Sequence, residues 1–192
     1  MALCVLLGGA RAGKSALALR CARAHGGPVC MIATATAGDA EMAARIARHR
    51  SERPREWLTI EEPLALAAAL ARAPAQALVI IDCLTLWVAN LLGSGTDERA
   101  IEALAQEAAA AAARRTAPVI AVGNELGMGL VPADPCSRRF RDLHGRVNAI
   151  WVARAEQAYL VVAGALIALG RGEEITLASA VDLRAPAPET RR

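Results

Sequence analysis

The sequence predicts an α/β protein of three layers, with helices on both faces of a mainly parallel central sheet. Three observations carry that prediction. Short apolar runs recur at 2–7, 29–33, 78–81, 118–122 and 159–163, each with the length and composition of a strand buried on both faces. Segments rich in Ala, Leu and Arg lie between them, which is the alternation of βαβ units. The first run leads straight into a glycine loop, Gly8, Gly9, Ala10, Arg11, Ala12, Gly13, Lys14 and Ser15, which fits G-x-x-x-x-G-K-[ST].

Strand, glycine loop and helix in that order make the expected fold P-loop NTPase-like, of the RecA-like kind. The residue types suit a phosphate cradle. Gly8 and Gly13 can turn successive N–H groups toward one point and let phosphate oxygens approach. The helix that follows, over 16–24, adds the positive end of its dipole. Lys14 can reach the β- and γ-phosphates, and the Ser15 hydroxyl can ligate Mg²⁺.

The remaining elements follow from punctuation and periodicity. Gly26, Gly27 and Pro28 end the first helix, and 29–33 reads as the second strand. Asp39 is placed to cap a helix over 41–49, which Pro54 stops. A short strand is expected at 56–60. Glu61, Glu62 and Pro63 then open a helix over 64–73, with acids at its positive end. The strand at 78–82 ends on Asp82 and is followed by an amphipathic helix at 84–92. Thr96 or Asp97 caps a long alanine-rich helix at 98–115. After the strand at 118–122 comes a second glycine-rich loop at 123–129, then a mostly helical stretch at 135–156 and a strand at 159–163. Residues 164–170 either continue that strand or form an edge. No repeat or linker divides the chain. It reads as one nucleotide-binding catalytic domain at 1–170 and an extension at 171–192, partly frayed.

Composition narrows the class of protein. The chain has 192 residues, 55% of them hydrophobic and 21% charged, with a net charge of +3. The arginines are scattered rather than blocked, so a nucleic-acid partner is not expected, and a polyanionic small molecule accounts for them more simply. Cys4, Cys21, Cys30, Cys83 and Cys136 are odd in number, widely spaced and free of C-x-x-C, which fits a reducing compartment and a cytoplasmic enzyme. No secretory signal is expected. The late apolar run at 158–170 is too short for a membrane span.

Several residues have chemistry to offer. Asp82 stands at the end of an apolar strand, where an acid can share Mg²⁺ with Ser15; as an alternative it caps the next helix. Arg45, Arg48, His49, Arg50 and Arg53 place five cationic or imidazole groups within nine positions, enough to hold a triphosphate. His49 is either a nucleophile there or a surface histidine on a basic helix. Glu61 and Glu62 can contact a ribose or a second metal, or simply begin a helix. Asn124, Glu125 and Arg146 are candidates to line the crevice at the strand ends. His25 fits a helix end, and His144 is either solvated or hydrogen-bonded within the fold. Asn-Lys-x-Asp and the zinc-protease histidine motifs are absent from the sequence.

Taken together, GGARAGKS at 8–15, IATA at 32–35, DAEMAARIARHRSERP at 39–54, WLTIE at 57–61, IIDCLTLWVANLL at 80–92, GNELGMGLVP at 123–132 and RRFRDLHGRVN at 138–148 resemble one family. That family is the bifunctional adenosylcobinamide kinase/adenosylcobinamide-phosphate guanylyltransferase of cobalamin assembly, and the likeness runs from about residue 3 to about residue 166. The resemblance implies two reactions. In one, ATP or GTP phosphorylates the aminopropanol hydroxyl of adenosylcobinamide. In the other, GTP gives GMP to an enzyme histidine, and adenosylcobinamide phosphate takes it up. The histidine position falls on His49, and the resemblance favours the nucleophile over the surface reading.

The resemblance also implies catalysis by Lys14 and nucleotide contacts at 8–15, at Ala33, Thr34 and Ala35, at Arg50, Ser51, Glu52 and Arg53, and at Glu61 and Asp82. It further implies Mg²⁺ and a homotrimer with sites between subunits. The chain departs from the family's pattern at Ala12, where Ser is common, at Asp82, where several relatives have Glu, and at Arg48, where some carry a second histidine. A small-molecule kinase without guanylyl transfer, and a nucleotide-dependent assembly module, remain the competing expectations.

Overall fold

A computed structural model describes residues 3–170 of the chain. The expectations for residues 1, 2 and 171–192 lie outside the described residues. The strands are β1 (Leu3–Leu7), β2 (Val29–Ala33), β3 (Leu58–Glu61), β4 (Leu78–Asp82), β5 (Val119–Val122), β6 (Gln157–Val162) and β7 (Ala165–Ala168). They form one sheet in the order β3-β2-β4-β5-β1-β6-β7. Every neighbouring pair is parallel except β6 and β7. The helices are α1 (Lys14–His25), α2 (Ala40–Ser51), α3 (Leu66–Arg72), α4 (Leu84–Gly93), α5 (Glu98–Ala113) and α6 (Pro135–Arg154).

The uninterrupted apolar runs have a direct cause in this architecture. In the central strands, successive side chains point to opposite faces, and both faces are covered. Val5, Ile32, Ile81 and Ala121 face the layer that contains α3, α4, α5 and α6, anchored by Trp87, Leu143 and Trp151. Leu6, Met31, Ile80 and Val122 face the layer built on α1, through Ala18, Leu19 and Ala22. The alanine tract of α5 has a structural use, since Ala105, Ala108, Ala109 and Ala112 are fully buried. Small side chains there let neighbouring elements approach closely.

β5 lies between β1 and β4. The strand feeding the glycine loop and the strand ending on Asp82 are therefore two strand spacings apart, about 10 Å. That intervening strand marks the RecA-like arrangement of a P-loop fold. It leaves room at the carboxyl ends of the strands for a ligand to lie across the tip of β5.

Element boundaries differ from expectation where backbone geometry intervenes. α1 starts at Lys14 because left-handed Gly13, at φ 102°, already serves as its N-cap. α6 stops at Arg154 because Ala155 is extended. Residues 164–170 contain an edge strand, not a continuation of β6: Ala163 and Gly164 both take positive φ, and β7 folds back antiparallel on β6. No described helix is long and apolar enough to cross a membrane.

Beyond the end of α5, Arg115 holds the far end of α3. Its guanidinium donates to the carbonyls of Leu70 at 3.0 Å, Ala73 at 3.2 Å, Pro74 at 2.6 Å and Ala77 at 3.2 Å. The last carbonyls of a helix lack intrahelical donors, and this cation meets that of Leu70 together with the carbonyls of the turn that follows α3. Arg115→Met should lower unfolding free energy by about 3 kcal/mol, read from the urea midpoint, because it orphans partly buried acceptors.

Candidate active site

The glycine loop is wedged between β1 and β6. Gly8 has φ 151°, and a Cβ there would lie 2.3 Å from the Val161 carbonyl oxygen, so no side chain fits. Lys14, only 6% exposed, folds back over the loop. Its Nζ donates to the carbonyls of Gly8 and Gly9, both at 2.7 Å. Burial pushes its pKa below the ordinary lysine value, and nearby Cys83 and Asp82 oppose that shift. An ammonium held by two carbonyls at the loop's centre can exchange them for phosphate oxygens.

Asp82 ends β4 with its two carboxylate oxygens facing different elements. Oδ1 accepts from Ser15 Oγ at 3.4 Å, and Oδ2 lies 3.5 Å from His49 Nδ1. The alternative role as a helix cap does not hold. The N-cap of α4 is Cys83, with no side-chain cap bond, so the carboxylate is left to the crevice. Arg53 is half-buried nearby, and its Nη1 is buried with no hydrogen-bond partner. Burial lowers its pKa, and the Asp82 carboxylate opposes this. A guanidinium with an unused buried N–H close enough to feel the Asp82 carboxylate is suited to an anion.

His49 sits near the C-terminal end of α2. Asp39 caps that helix as expected, accepting from Met42 N at 2.7 Å. No residue of α2 is buried. Met42, Ile46 and His49 form its one half-buried stripe, at helical spacing. Arg50 pairs with Glu61, and Arg23 donates to the Glu52 carbonyl at 2.9 Å. The helix is thus held by its edges and by one histidine turned inward. The imidazole is 30% exposed and is not locked in the interior.

The expected site residues separate by what their side chains already do. The loop at 8–15, Ala33, His49, Arg53 and Asp82 gather at the carboxyl ends of β1, β2 and β4. The Thr34 hydroxyl is occupied: it donates to the Cys83 carbonyl at 2.7 Å and accepts from Cys83 N at 2.8 Å, tying β2 to β4. The Thr34 backbone is engaged too, N donating to the Asp82 carbonyl at 3.1 Å and the carbonyl accepting from Asn90 Nδ2 at 2.7 Å, and the Ser51 hydroxyl donates to the Arg48 carbonyl. Glu62 caps the turn before α3 by accepting from Leu64 N and Ala65 N, so it is the helix-start acid. Arg146 does not line the crevice. It pairs with Glu98 and Glu102 on α5, because its position on α6 faces that helix. Asn124 and Glu125 do stand at the crevice, where Glu125 N donates to the Gly8 carbonyl at 3.0 Å.

His25 closes α1, as expected. His144 is hydrogen-bonded, not solvated: it is fully buried, with Nε2 3.0 Å from Thr85 Oγ1 and Nδ1 3.3 Å from Asn148 Nδ2. Sequence reasoning gave Thr85 and Asn148 no role, although both lie in stretches that carry the family resemblance, because neither bears a charge.

Fold, loop and strand-end acid together define a nucleotide-binding enzyme of the P-loop class. Within that class the chain belongs to the cobinamide kinase / cobinamide phosphate guanyltransferase family, whose profile matches residues 4–169. It is 44% identical over 161 residues to the bifunctional adenosylcobalamin biosynthesis protein CobP of Pseudomonas aeruginosa, covering 83% of this chain and 92% of that one. It is 40% identical over 173 residues to the bifunctional adenosylcobalamin biosynthesis protein CobU of Escherichia coli, covering 83% and 95%. Among solved structures, a Pyrococcus horikoshii OT3 protein matches with a TM-score of 0.50 at 7% identity, over 86% of this chain and 84% of that one, a likeness of fold alone.

Burial pushes the His144 pKa down to about 4 from an ordinary 6.5. Above pH 6.5 both folded and unfolded chains hold it neutral. Between pH 6.5 and 4 only the unfolded chain takes up the proton, so the folded state loses stability as pH falls through that window, by about 3 kcal/mol in all. Urea unfolding of the parent and of His144→Gln across this range should isolate the histidine's share as the difference in slope.

Proposed function

We propose that this chain is a bifunctional adenosylcobinamide kinase and adenosylcobinamide-phosphate guanylyltransferase, working at one nucleotide crevice through Lys14 and His49. The observation that carries the reading is the placement of His49 Nδ1 3.5 Å from Asp82 Oδ2 while Ser15 faces the other oxygen of the same carboxylate. An imidazole from a different helix is thereby brought to the phosphate site. The nucleotide would lie along the loop at 8–15, residues 33–35 and 50–53, Glu61 and Asp82. Residues 1–170 would form the catalytic domain and 171–192 an extension.

In the kinase reaction, the aminopropanol hydroxyl attacks the γ-phosphorus of ATP or GTP. Its proton passes to water as the O–P bond forms, and the bond to the β-phosphate oxygen breaks so that the nucleoside diphosphate leaves. The loop amides and Lys14 hold the phosphates in line and meet the charge that develops on the leaving oxygen. The hard oxygens of Ser15 and Asp82 suit Mg²⁺, which typically takes only one or two protein ligands beside phosphates and water. When bound there, that ion would neutralise phosphate charge.

In the guanylyl reaction, Asp82 holds the Nδ1 side of His49, leaving the Nε2 lone pair to attack the α-phosphorus of GTP. The P–N bond forms and pyrophosphate departs toward Arg53 and its neighbours. The phosphate of the corrinoid then displaces histidine from phosphorus, giving adenosylcobinamide-GDP and restoring the imidazole. His49→Ala should abolish the acid-labile, base-stable protein label from α-labelled GTP while phosphorylation of adenosylcobinamide continues. Labelling at the parental level would reject the assignment.

A cytoplasmic location is supported by the five free cysteines. A homotrimer with shared sites is supported by exposed apolar side chains that a monomer rarely leaves in water, among them Met128, Leu130 and Val131 after β5, and Leu166 and Ile167 on β7. Sedimentation equilibrium should return three times the 20.0 kDa chain mass, and a monomer at micromolar concentration would exclude the trimer.

A further inference from the structure

Two of the stretches that carry the family resemblance, 123–132 and 138–148, supply none of the chemistry above, yet they meet in one buried polar cluster. Asn124 N donates to Thr85 Oγ1 at 2.8 Å, and Asn148 Nδ2 donates to the Asn124 carbonyl at 2.9 Å. The N–H at the other end of that same peptide, Glu125 N, donates to the Gly8 carbonyl at 3.0 Å. His144 joins the two side chains from behind, with Nε2 on Thr85 and Nδ1 on Asn148. Because Asn148 presents its NH₂ group to a carbonyl, it is a donor toward Nδ1 as well, so the imidazole proton resides on Nε2 and points at Thr85. Thr85, His144 and Asn148 are each less than 10% exposed.

We propose that Thr85 and Asn148, linked through His144, are positioning residues that clamp the Asn124–Glu125 peptide against the phosphate loop and so hold the loop's shape when Lys14 turns to a nucleotide. The inference rests on the reading of 8–15 as the nucleotide site. The Gly8 carbonyl has two donors in this structure, Lys14 Nζ and Glu125 N. A lysine that swings to a phosphate oxygen gives up its bond to Gly8, and Glu125 N is the donor that stays. Its place is set by the peptide it belongs to, whose carbonyl is fixed by Asn148 and whose preceding N–H is fixed by Thr85. Gly123 fits the same design: a Cβ there would come 3.0 Å from Asn148 Oδ1 and 3.0 Å from Leu7 Cδ2. Glycine is what lets the amide of Asn148 approach the strand end.

The test compares Thr85→Val, which keeps shape but removes the acceptor, with Thr85→Ser, which keeps the hydroxyl. Both are made in the full chain and assayed for phosphoryl transfer to adenosylcobinamide and for amide hydrogen exchange at Asn124 and Glu125. Thr85→Val should lower kcat by about ten- to a hundredfold, as small misplacements of catalytic groups do. Nucleotide KM should move far less, and exchange at both amides should quicken. Thr85→Ser should restore kcat and slow exchange. Parental kcat in Thr85→Val, or equal impairment in Thr85→Ser, would overturn the proposal. Faster exchange with parental kcat would overturn it too, since the cluster would then be structural only. Should Thr85→Val fold poorly, Gly123→Ala, which crowds Asn148 from outside the hydrogen-bonded set, carries the same expectations. If the parent chain transfers no phosphate to a corrinoid, the functional reading fails instead, and the exchange difference between the two Thr85 variants still decides the clamp.

Discussion

Asp82 is the last residue of a strand whose four preceding side chains are buried, and its carboxylate emerges where the sheet ends. That position is costly to spend on a charge unless the charge is used. Its two oxygens draw together groups that share no other connection: a hydroxyl on the first turn of α1 and an imidazole near the end of α2. The strand order makes this possible. With β5 between β1 and β4, the acid and the phosphate loop face each other across the tip of one strand instead of lying side by side.

Much of the remaining architecture exists to keep that junction rigid on one side. Glycine at position 8 seats the loop against β6, Thr34 ties β2 to β4, and the buried cluster around His144 ties α4, α6 and the loop after β5 to the carbonyl of Gly8. Each tie is a short polar contact inside a water-poor layer, where a hydrogen bond is strong and an orphaned group is expensive. The opposite wall is built otherwise. α2 buries no residue and is held by an Asp cap, one surface ion pair and a thin half-buried stripe. Exposed ion pairs contribute little, so this wall is the less firmly anchored of the two.

The sequence by itself determined the alternation of strands and helices, the phosphate loop and the strand-end acid. All three depend on local rules: unbroken apolar runs of strand length, glycine conformations, capping residues and an acid directly after an apolar run. His49 is singled out by the family resemblance; composition alone favours a surface histidine, because a helix periodicity says which residues share a face and not what that face meets. Only the tertiary structure decided that His49 turns to Asp82, that Arg146 spends its charge on α5, and that Thr85, Asn148 and His144 form one buried cluster. Those pairings join residues up to 59 positions apart in the chain. They exist because the parallel sheet brings the carboxyl ends of distant strands to one line, a juxtaposition that long-range packing creates and local sequence preference cannot encode.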